Sequence, residues 1–366
     1  MPNNTSLNIA ADELHIWVLA PYVVTNDENL NYYYDFSQSI AEYTVVFTEL
    51  GIQWQWQPVT MYDYAKVIET IAQKQATTIV KQVVLNLCDG DEVNGTPGIS
   101  VVNLLTQKGL YYTGADAFFY HITTSKIDMK QAFNTANIAT PKWQAIYTAS
   151  ENIDTIFKQL GSPIIVKPSV SGGSMGVGIK NVVNDLAALQ AQVVRMFKGY
   201  RGWQLATDGL VAEEFINGPE FTIMIVGNYN QPDTAIIYPP IERVFHESLP
   251  EQEQFLSFDR LWEIYEDETP MPNNANFYEY AMPDIKLHKA IKQLAWDAYV
   301  AVKGTGYTRI DIRMDKVSRN LYVLEVNAQC GISEDENFTS IGAILRFANI
   351  SFTELVVQII KNSINR

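Results

Sequence analysis

A lysine closes an apolar run and leads straight into glycines. Pro163-Ile164-Ile165-Val166 ends in Lys167-Pro168, and Gly172, Gly173, Gly176 and Gly178 then crowd a span that also holds Ser169, Ser171 and Ser174. Glycines let backbone amides approach an anion closely, and serines add hydroxyl donors. With a lysine closing the preceding strand, the span points to phosphate binding rather than to a flexible surface tip. It is not a Walker loop, because no GK[ST] occurs in the chain. The same residues, Gly172-Gly173-Ser174-Met175-Gly176, also fit G-x-S-x-G, the nucleophile elbow of an esterase. That elbow needs a strand directly before the serine and a helix directly after it. Here Lys167 to Ser171 intervene, and the following VGIKNVV is β-branched and reads as a strand. His246 and His288 lie downstream as formal partners, but four histidines offer such coincidences freely. The phosphate reading is preferred.

A second constellation lies near the C-terminus. Alternation puts Arg309, Asp311 and Arg313 on one face of YTRIDIRMD, and Glu325 and Asn327 on one face of LYVLEVN, opposite Leu324 and Val326. Pairing these strands brings Asp311, Glu325 and Asn327 together as a hard, oxygen-only set suited to Mg²⁺, which completes its shell with water and nucleotide phosphate. A solvated strand face with an Arg–Asp pair is the plain alternative. Two carboxylates and an amide beside an arginine, closed by Cys330-Gly331, favour the metal. Between the two constellations, Glu213-Glu214-Phe215-Ile216 and Gly218-Pro219-Glu220 form a strand and turn. They offer backbone groups to an adenine and a carboxylate to a ribose, although alone they are equally an acidic surface edge.

The elements that must hold these residues are legible in outline. HIWVLA, then Ile40, Tyr43, Phe47 and Leu50 at helical spacing before Gly51, then Ile52, Trp54 and Trp56 in alternation give strand, helix and strand. A helix over 62–73, the strand QVVLNL, a helix over 98–108 and a strand over 110–113 continue a β-α-β-α-β-α-β pattern. That pattern predicts a mostly parallel sheet with ligands beyond its carboxyl edge. Ser125 and Asp128 read as a capping box for a helix, as do Ser351 and Glu354. PKWQAIYT reads as a strand, 153–160 as a helix, and a further helix follows Asn184. LVAEEF and FTIMIVG read as strands. Residues 228–283 show little periodicity, which suggests a lid or substrate loop. A helix with Ile291, Leu294, Ala298 and Val302 precedes the hairpin.

The 366 residues, 47% hydrophobic and 18% charged, describe a packed protein of two or three lobes rather than a disordered chain. A net charge of −15 disfavours nucleic acid and leaves any nucleotide to a few placed cations, amides and metal. Cys88 and Cys330 make neither a disulfide framework nor a zinc cluster, as expected in a reducing compartment. The start lacks a signal-peptide pattern and no apolar run reaches membrane-spanning length, so the expectation is a cytoplasmic chain with no membrane partner.

Taken together, the motifs resemble the ATP-grasp superfamily, and within it the D-alanine–D-alanine ligase group. The resemblance rests on DGDEVNGTPGISVVNLL, YYTGADAFFYHITTSKIDMKQAF, PIIVKPSVSGGSMGVG, EEFINGPEFTIMIVGN, TRIDIRMD, YVLEVNAQCGI and ISFTELVVQII, and covers roughly Asp89 to the C-terminus. It implies an α/β ATP-grasp fold: a Rossmann-like parallel-sheet domain over 1–124, and two α+β subdomains over 125–211 and 212–366 that clamp ATP. It implies that Lys126 and Lys167 hold ATP phosphates, with Ser174 capping them from a loop containing Gly172 and Gly173. It places Glu213 at the adenine amino group, Glu214, Phe215 and Ile216 along the base, Glu220 at the ribose and Leu324 among the nucleotide contacts. Arg309 and the Gly331 amide would stabilise the tetrahedral intermediate. Asp311, Glu325 and Asn327 would bind two Mg²⁺ ions, replaceable by Mn²⁺. The implied activity joins a carboxylate to an amine through an acylphosphate, releasing ADP and phosphate, in a homodimer acting on amino-acid or peptide-like substrates.

The chain departs from that group at its amino-acid contacts. The group's N-terminal glycine-rich turn and amine-gripping glutamate have no clear counterpart, leaving Asp27, Glu28 and Asp35 as candidates. Ser171-Gly172-Gly173-Ser174 replaces E-G-S-S. After Gly331, ISEDENFTSIG replaces the Ser/Met-Pro turn that holds the second carboxylate, with Ser333, Thr339 and Ser340 as substitutes and Glu334, Asp335 and Glu336 repelling a carboxylate. Arg243 or Arg260 from the long loop is a candidate for a phosphate or substrate acid. Cys330 is read as a small buried filler. Intact ATP machinery beside altered amino-acid contacts favours a specialised dipeptide or secondary-metabolite ligase. The alternatives are the housekeeping cell-wall ligase and, in a different class, a non-catalytic nucleotide-binding regulator.

Overall fold

The computed structural model describes residues 7, 9–24, 35–337 and 339–366. Its first third is a four-stranded sheet of β1 (Leu14–Pro21), β2 (Gln53–Val59), β3 (Lys81–Asn86) and β4 (Tyr111–Tyr112), in the order β2-β1-β3-β4. Every neighbouring pair is parallel, as strand–helix alternation requires. Helix α1 (Ser37–Leu50) buries Tyr43, Val46 and Phe47. It ends at Gly51, whose φ of 65° suits a residue without a Cβ and whose N–H reaches the Phe47 carbonyl. Helix α2 (Tyr64–Thr77) begins later than the spacing predicts, because Asp63 accepts from the Thr60 N–H and holds residues 60–63 in a turn. Helix α3 (Ile99–Gln107) and α4 (Ala117–Thr124) complete this part.

The middle of the chain builds an antiparallel sheet of β5 (Trp143–Ile146), β6 (Ile164–Pro168), β7 (Val182–Val183) and β8 (Leu210–Glu214), in the order β5-β8-β6-β7. It is flanked by α5 (Lys126–Thr135), α6 (Ile156–Leu160) and α7 (Leu186–Phe197). β8 runs across residue 212, so by pairing the strand that carries Glu213 belongs to this sheet. Two local readings need correction. The Ser125 hydroxyl accepts from the Asp128 N–H at 3.4 Å, but the reciprocal leg of a capping box is not formed there. VGIKNVV is not one strand: a 3₁₀ turn over Ile179–Asn181 interrupts it, because the Asn181 carboxamide bonds backwards to Gly176, Gly178 and Val166.

The last part holds β9 (Glu220–Asn228), β10 (Ile236–Ile237), β11 (Ile241–Phe245), β12 (Tyr278–Ala281), β13 (Thr305–Met314) and β14 (Leu321–Ala328). They form a sheet in the order β12-β11-β9-β13-β14, with β10 beside β9. The 228–283 stretch, expected to be irregular, thus supplies three strands and the short helix α8 (Phe258–Leu261). Helix α9 (Ile285–Ala301) lies on one face of the sheet, and α10 (Ser340–Ala348) and α11 (Phe352–Ile364) lie on the other. The Ser351–Glu354 capping box is complete. Helix α10 stands where the sequence reading placed only a substrate turn, and Thr339 caps its start.

The alternation of β9 explains why it is buried on both sides. Phe221, Ile223 and Ile225 join Ile291, Ala295 and Tyr299 of α9, whereas Met224 and Val226 join Ile341, Leu355 and Ile359 of α10 and α11. These two cores also take in Leu19 and Val84, and Val18 and Leu85, from the N-terminal sheet. Each such aliphatic side chain contributes roughly 1.5–3 kcal/mol on burial, so the first and last sheets are held together by a shared interior. The central sheet keeps its own core, around Ile146, Ile164, Leu189 and Leu210. Among the described residues no single helix is long and apolar enough to cross a membrane. Only α10 and α11 taken together match by composition, bent by 103° to each other.

Candidate active site

The phosphate-loop candidates and the acidic ribbon meet at Lys126. This residue opens α5 behind the Ser125 cap, and its ammonium donates to the Ser171 carbonyl at 3.2 Å and stands 3.5 Å from Glu325 Oε2. One cation thus touches both the glycine-rich turn and β14, stretches more than 150 residues apart in sequence. Lys167, on β6, pairs with Glu213 across the β6–β8 ladder, where Ile165 and Glu213 are register partners. The sequence reading missed Lys130, which stands one turn after Lys126 on the same face of α5. Its ammonium lies 2.7 Å from Glu213 Oε2 and donates to the Thr140 hydroxyl at 2.9 Å. Burial works against ionisation of Glu213, but Lys130 and Lys167 outweigh it and hold the carboxyl at about 2.

The turn itself bends back sharply. Ser174 adopts a φ of 61°, and Met175 and Val177 donate to Gly172 and Ser174 carbonyls. Trp262, next to α8, donates its indole N–H to the Gly173 carbonyl at 2.8 Å. β6 ends at Pro168, well before Ser174, and no helix directly follows the serine, so the esterase elbow is not built. Glu214 hydrogen-bonds through its backbone N–H to the Lys142 carbonyl, whereas Phe215 and Ile216 are buried just after β8. Phe215 meets Phe255 edge-on at 6.0 Å and lies under the Arg313 guanidinium at 5.1 Å.

Glu220 is buried and forms an ion pair with Arg243, its register partner on β11, with Arg313 Nε 3.9 Å away. Arg243 is therefore not free for a phosphate or substrate acid, contrary to the expectation. Arg260 is likewise buried, 2.7 Å from Glu253 and 3.5 Å from Glu268. Both arginines fasten the long segment in place. Its acidic end is fixed in the same way, with Glu266 on Arg201 and Asp267 on Lys180 and Arg195.

On the ribbon, Arg309 pairs with Asn327 and Asp311 with Glu325 in antiparallel register. The register then slips, Ile312 facing Val323, so Leu324 is the extra residue of a bulge. Asp311 Oδ2 accepts from the Arg309 guanidinium at 3.0 Å and from the Asn327 carboxamide at 3.1 Å. Burial favours the neutral Asp311, but Arg309 and Arg243 prevail and lower its carboxyl below the usual range. Arg309 stays charged: burial opposes its charge, and Asp311, Cys330 and Glu325 together more than compensate. Asp311, Glu325 and Asn327 are an oxygen-bearing set beside a ligand-accessible turn, which fits a hard divalent cation sharing its shell with phosphate. Among the described residues no cluster of three His, Cys, Asp or Glu exists that would hold a metal unaided.

Beyond β14 the chain turns through Gln329, Cys330 and the exposed Gly331. The Gln329 side chain accepts from the Ala115 N–H at 2.7 Å and donates to the Asn86 carbonyl at 2.9 Å, pinning this turn to the N-terminal sheet. Cys330 is buried, and its thiol is pushed up to about 12 by that burial, which fits a filler and not a nucleophile. Of the substitutes for the second carboxylate contact, Ser333 donates to Glu42 at 2.6 Å and Thr339 is spent as a helix cap. Ser340 keeps a buried hydroxyl with no hydrogen-bond partner among the described residues. Asp35 accepts from the Ser37 N–H at the start of α1, and Asp27 and Glu28 lie outside the described residues.

Comparison with known proteins adds four findings. A sequence model described as the D-ala D-ala ligase C-terminus matches residues 132–361. The chain is 28% identical over 285 residues to the D-alanine–D-alanine ligase of Xanthomonas axonopodis pv. citri, covering 77% of this chain and 78% of that one. It is 27% identical over 261 residues to the Marinobacter nauticus enzyme of the same name, covering 71% and 69%. In three dimensions it is similar to the Bacillus anthracis D-alanine–D-alanine ligase solved with ATP, with a TM-score of 0.67, 20% identity and coverage of 96% of this chain and 98% of that one. At that identity the likeness speaks to the fold, which is that of an ATP-grasp protein.

Proposed function

The chain belongs to the D-ala D-ala ligase C-terminus family, and on that premise we propose that it is an ATP-dependent ligase that forms a C–N bond between a carboxylate and an amine. The observation that carries this reading is Lys126, which touches the glycine-rich turn at Ser171 and the acidic ribbon at Glu325. A triphosphate lying there would meet cations from α5 and β6 on one side and Asp311, Glu325 and Asn327 on the other.

The chain's own residues then divide the work. Lys126, Lys167 and the amides around Gly172, Gly173 and Ser174 bind and orient the phosphates, while Glu213 and the Glu214–Ile216 backbone receive the base. Glu220, tied to Arg243, borders the ribose side, and Leu324, the bulge residue of β14, joins the nucleotide contacts. Asp311, Glu325 and Asn327 would hold Mg²⁺, or Mn²⁺ in its place, and the ions supply charge neutralisation at the phosphates when bound. A substrate carboxylate attacks the γ-phosphorus, the bond to the bridging oxygen breaks, and ADP leaves behind an acylphosphate. An amine then attacks the acyl carbon, and phosphate departs as the amide forms. Arg309 and the Gly331 amide face the charge that develops at that carbon, as preorganised donors.

The substrates we propose are amino acids or amino-acid-like molecules. D-alanine is favoured by the relatives, which are D-alanine–D-alanine ligases. A different second substrate is favoured by Glu334 and Asp335, which follow Gly331 where a free carboxylate would otherwise sit. We read the protein as a cytoplasmic homodimer. Incubation with Mg²⁺, ATP and pools of D- and L-amino acids, read by ADP release and product mass, tests the whole reading. Efficient D-alanyl-D-alanine formation would remove the specialised variant, and no ADP release with any pool would favour a regulatory nucleotide-binding module.

A further inference from the structure

Lys130 is a buried cation beside Glu213 that the reaction as described leaves without a task. Its side chain and that of Glu213 are each 1% exposed, whereas that of Lys167 is 17% exposed. The three groups form a chain, Lys130–Glu213–Lys167, in which one buried carboxylate is shared by two ammonium groups and the net charge is +1. Lys130 is anchored from behind: it donates to Thr140, which in turn donates to the Val323 carbonyl at 2.9 Å, next to the bulge of β14. Lys130 Nζ lies 2.7 Å from Glu213 Oε2, but the approach lacks hydrogen-bond geometry and that oxygen has no aligned donor. Lys167 is the partner that can move. It is the more exposed of the two lysines and closes the strand that runs into the glycine-rich turn.

This arrangement poses a problem for phosphate binding. In this state Lys167 is clamped to Glu213. To engage a triphosphate it must share itself or leave, and a carboxylate this deeply buried that loses its only cation costs several kcal/mol. A second, fixed cation removes that obstacle. We propose that Lys130 is a positioning residue that retains Glu213 as its own counter-ion, so that Lys167 can pass from Glu213 to the nucleotide phosphates. The inference rests on the ATP-ligase reading above, and goes beyond it in assigning the hand-over to a residue that touches neither phosphate nor substrate.

The test uses the full-length protein and Mg²⁺ with either ATP or inorganic tripolyphosphate, the latter reporting on phosphate contacts without the base. Lys130→Met is expected to weaken tripolyphosphate binding by about tenfold or more, since one decade corresponds to about 1.4 kcal/mol. In a Glu213→Gln background, where no carboxylate holds Lys167, the same lysine substitution is expected to change binding by less than about twofold. Lys130→Arg is expected to restore most of the loss. A merely structural lysine would weaken binding equally in both backgrounds, and that result overturns the proposal. Should Lys130→Met fail to fold, a structure of the wild-type protein with Mg²⁺ and tripolyphosphate decides. Lys167 Nζ is expected on a phosphate oxygen while Lys130 stays within about 4 Å of Glu213. Lys167 still bound to Glu213 and touching no phosphate refutes the hand-over. A wild-type protein that binds neither ATP nor tripolyphosphate removes the underlying ligase reading, whereas one that binds both and is unaffected by Lys130→Met removes this inference alone.

Discussion

Trp262 donates its indole N–H to the Gly173 carbonyl at 2.8 Å, so the segment between β11 and β12 holds the tip of the glycine-rich turn. The contact is reinforced by the Phe258 N–H on the Val177 carbonyl and by Glu268 accepting from the Ile179 N–H. The long segment is therefore a strap over the turn. Trp262→Phe keeps an aromatic ring but removes the pyrrole half and its hydrogen bond, the bond alone costing about 1 kcal/mol. Steady-state kinetics are expected to show KM for ATP changed by about fivefold with kcat little altered, and limited proteolysis to cut the 169–178 turn faster. An unchanged KM and cleavage rate would mean that the strap does not govern the turn.

Glu325 separates metal binding from scaffolding. Its side chain is 28% exposed and meets Lys126 at the loose distance of 3.5 Å, so the fold gains little from it. Glu325→Gln should lower kcat by about 100-fold or more while leaving the thermal midpoint nearly unmoved. Wild-type turnover by this variant would contradict the metal assignment.

The buried carboxylates predict the direction of acid sensitivity. The folded-state values of Glu213, at about 2, and Asp311 lie below their unfolded ones. Such groups contribute stability that is complete above the unfolded value and is lost as pH falls toward the folded one. Asp89, raised to about 6 by burial, acts with the opposite sign between pH 7 and 5, so the fall in urea midpoint owed to Glu213 and Asp311 should appear below about pH 5 and continue toward pH 2. Glu213→Gln should flatten part of that drop. A fall below pH 5 that is as steep in Glu213→Gln as in the wild type would refute the assignment.

Gln329 fixes the turn at Cys330-Gly331 to the first sheet. Gln329→Ala would strand the Ala115 N–H and the Asn86 carbonyl, both otherwise bonded to it, at about 1–3 kcal/mol each. Gly114 shows how close the fit is, since a Cβ there would lie 1.5 Å from Gln329 Oε1. Denaturation is expected to show a loss of about 2–4 kcal/mol, and kinetics a larger fall in kcat than rise in KM for ATP.

What the sequence disclosed follows from the range of the contacts involved. The β13–β14 ribbon was legible because period-two alternation forces Arg309 and Asp311 onto one face, whatever the rest of the chain does. α1, with its glycine stop, was legible for the same local reason. The partners of Gln329 lie 214 and 243 residues earlier, and no pattern around position 329 announces them. β11 hid because Arg243, a charge, points inward onto Glu220 and breaks the apolar rhythm. Lys130 hid because a lysine on a helix is ordinarily read as solvent-facing. Its position one turn after Lys126, on a helix already assigned to phosphate binding, was the available signal.

The central claim is that the lysine-led turn and the acidic ribbon bind one Mg·ATP between them. Isothermal titration of the full-length protein with ATP, with and without Mg²⁺, measures this directly. A saturating heat at one nucleotide per chain is predicted, much weakened without Mg²⁺ or in Lys167→Met. No heat with Mg·ATP, or an isotherm that Lys167→Met leaves unchanged, would contradict the account.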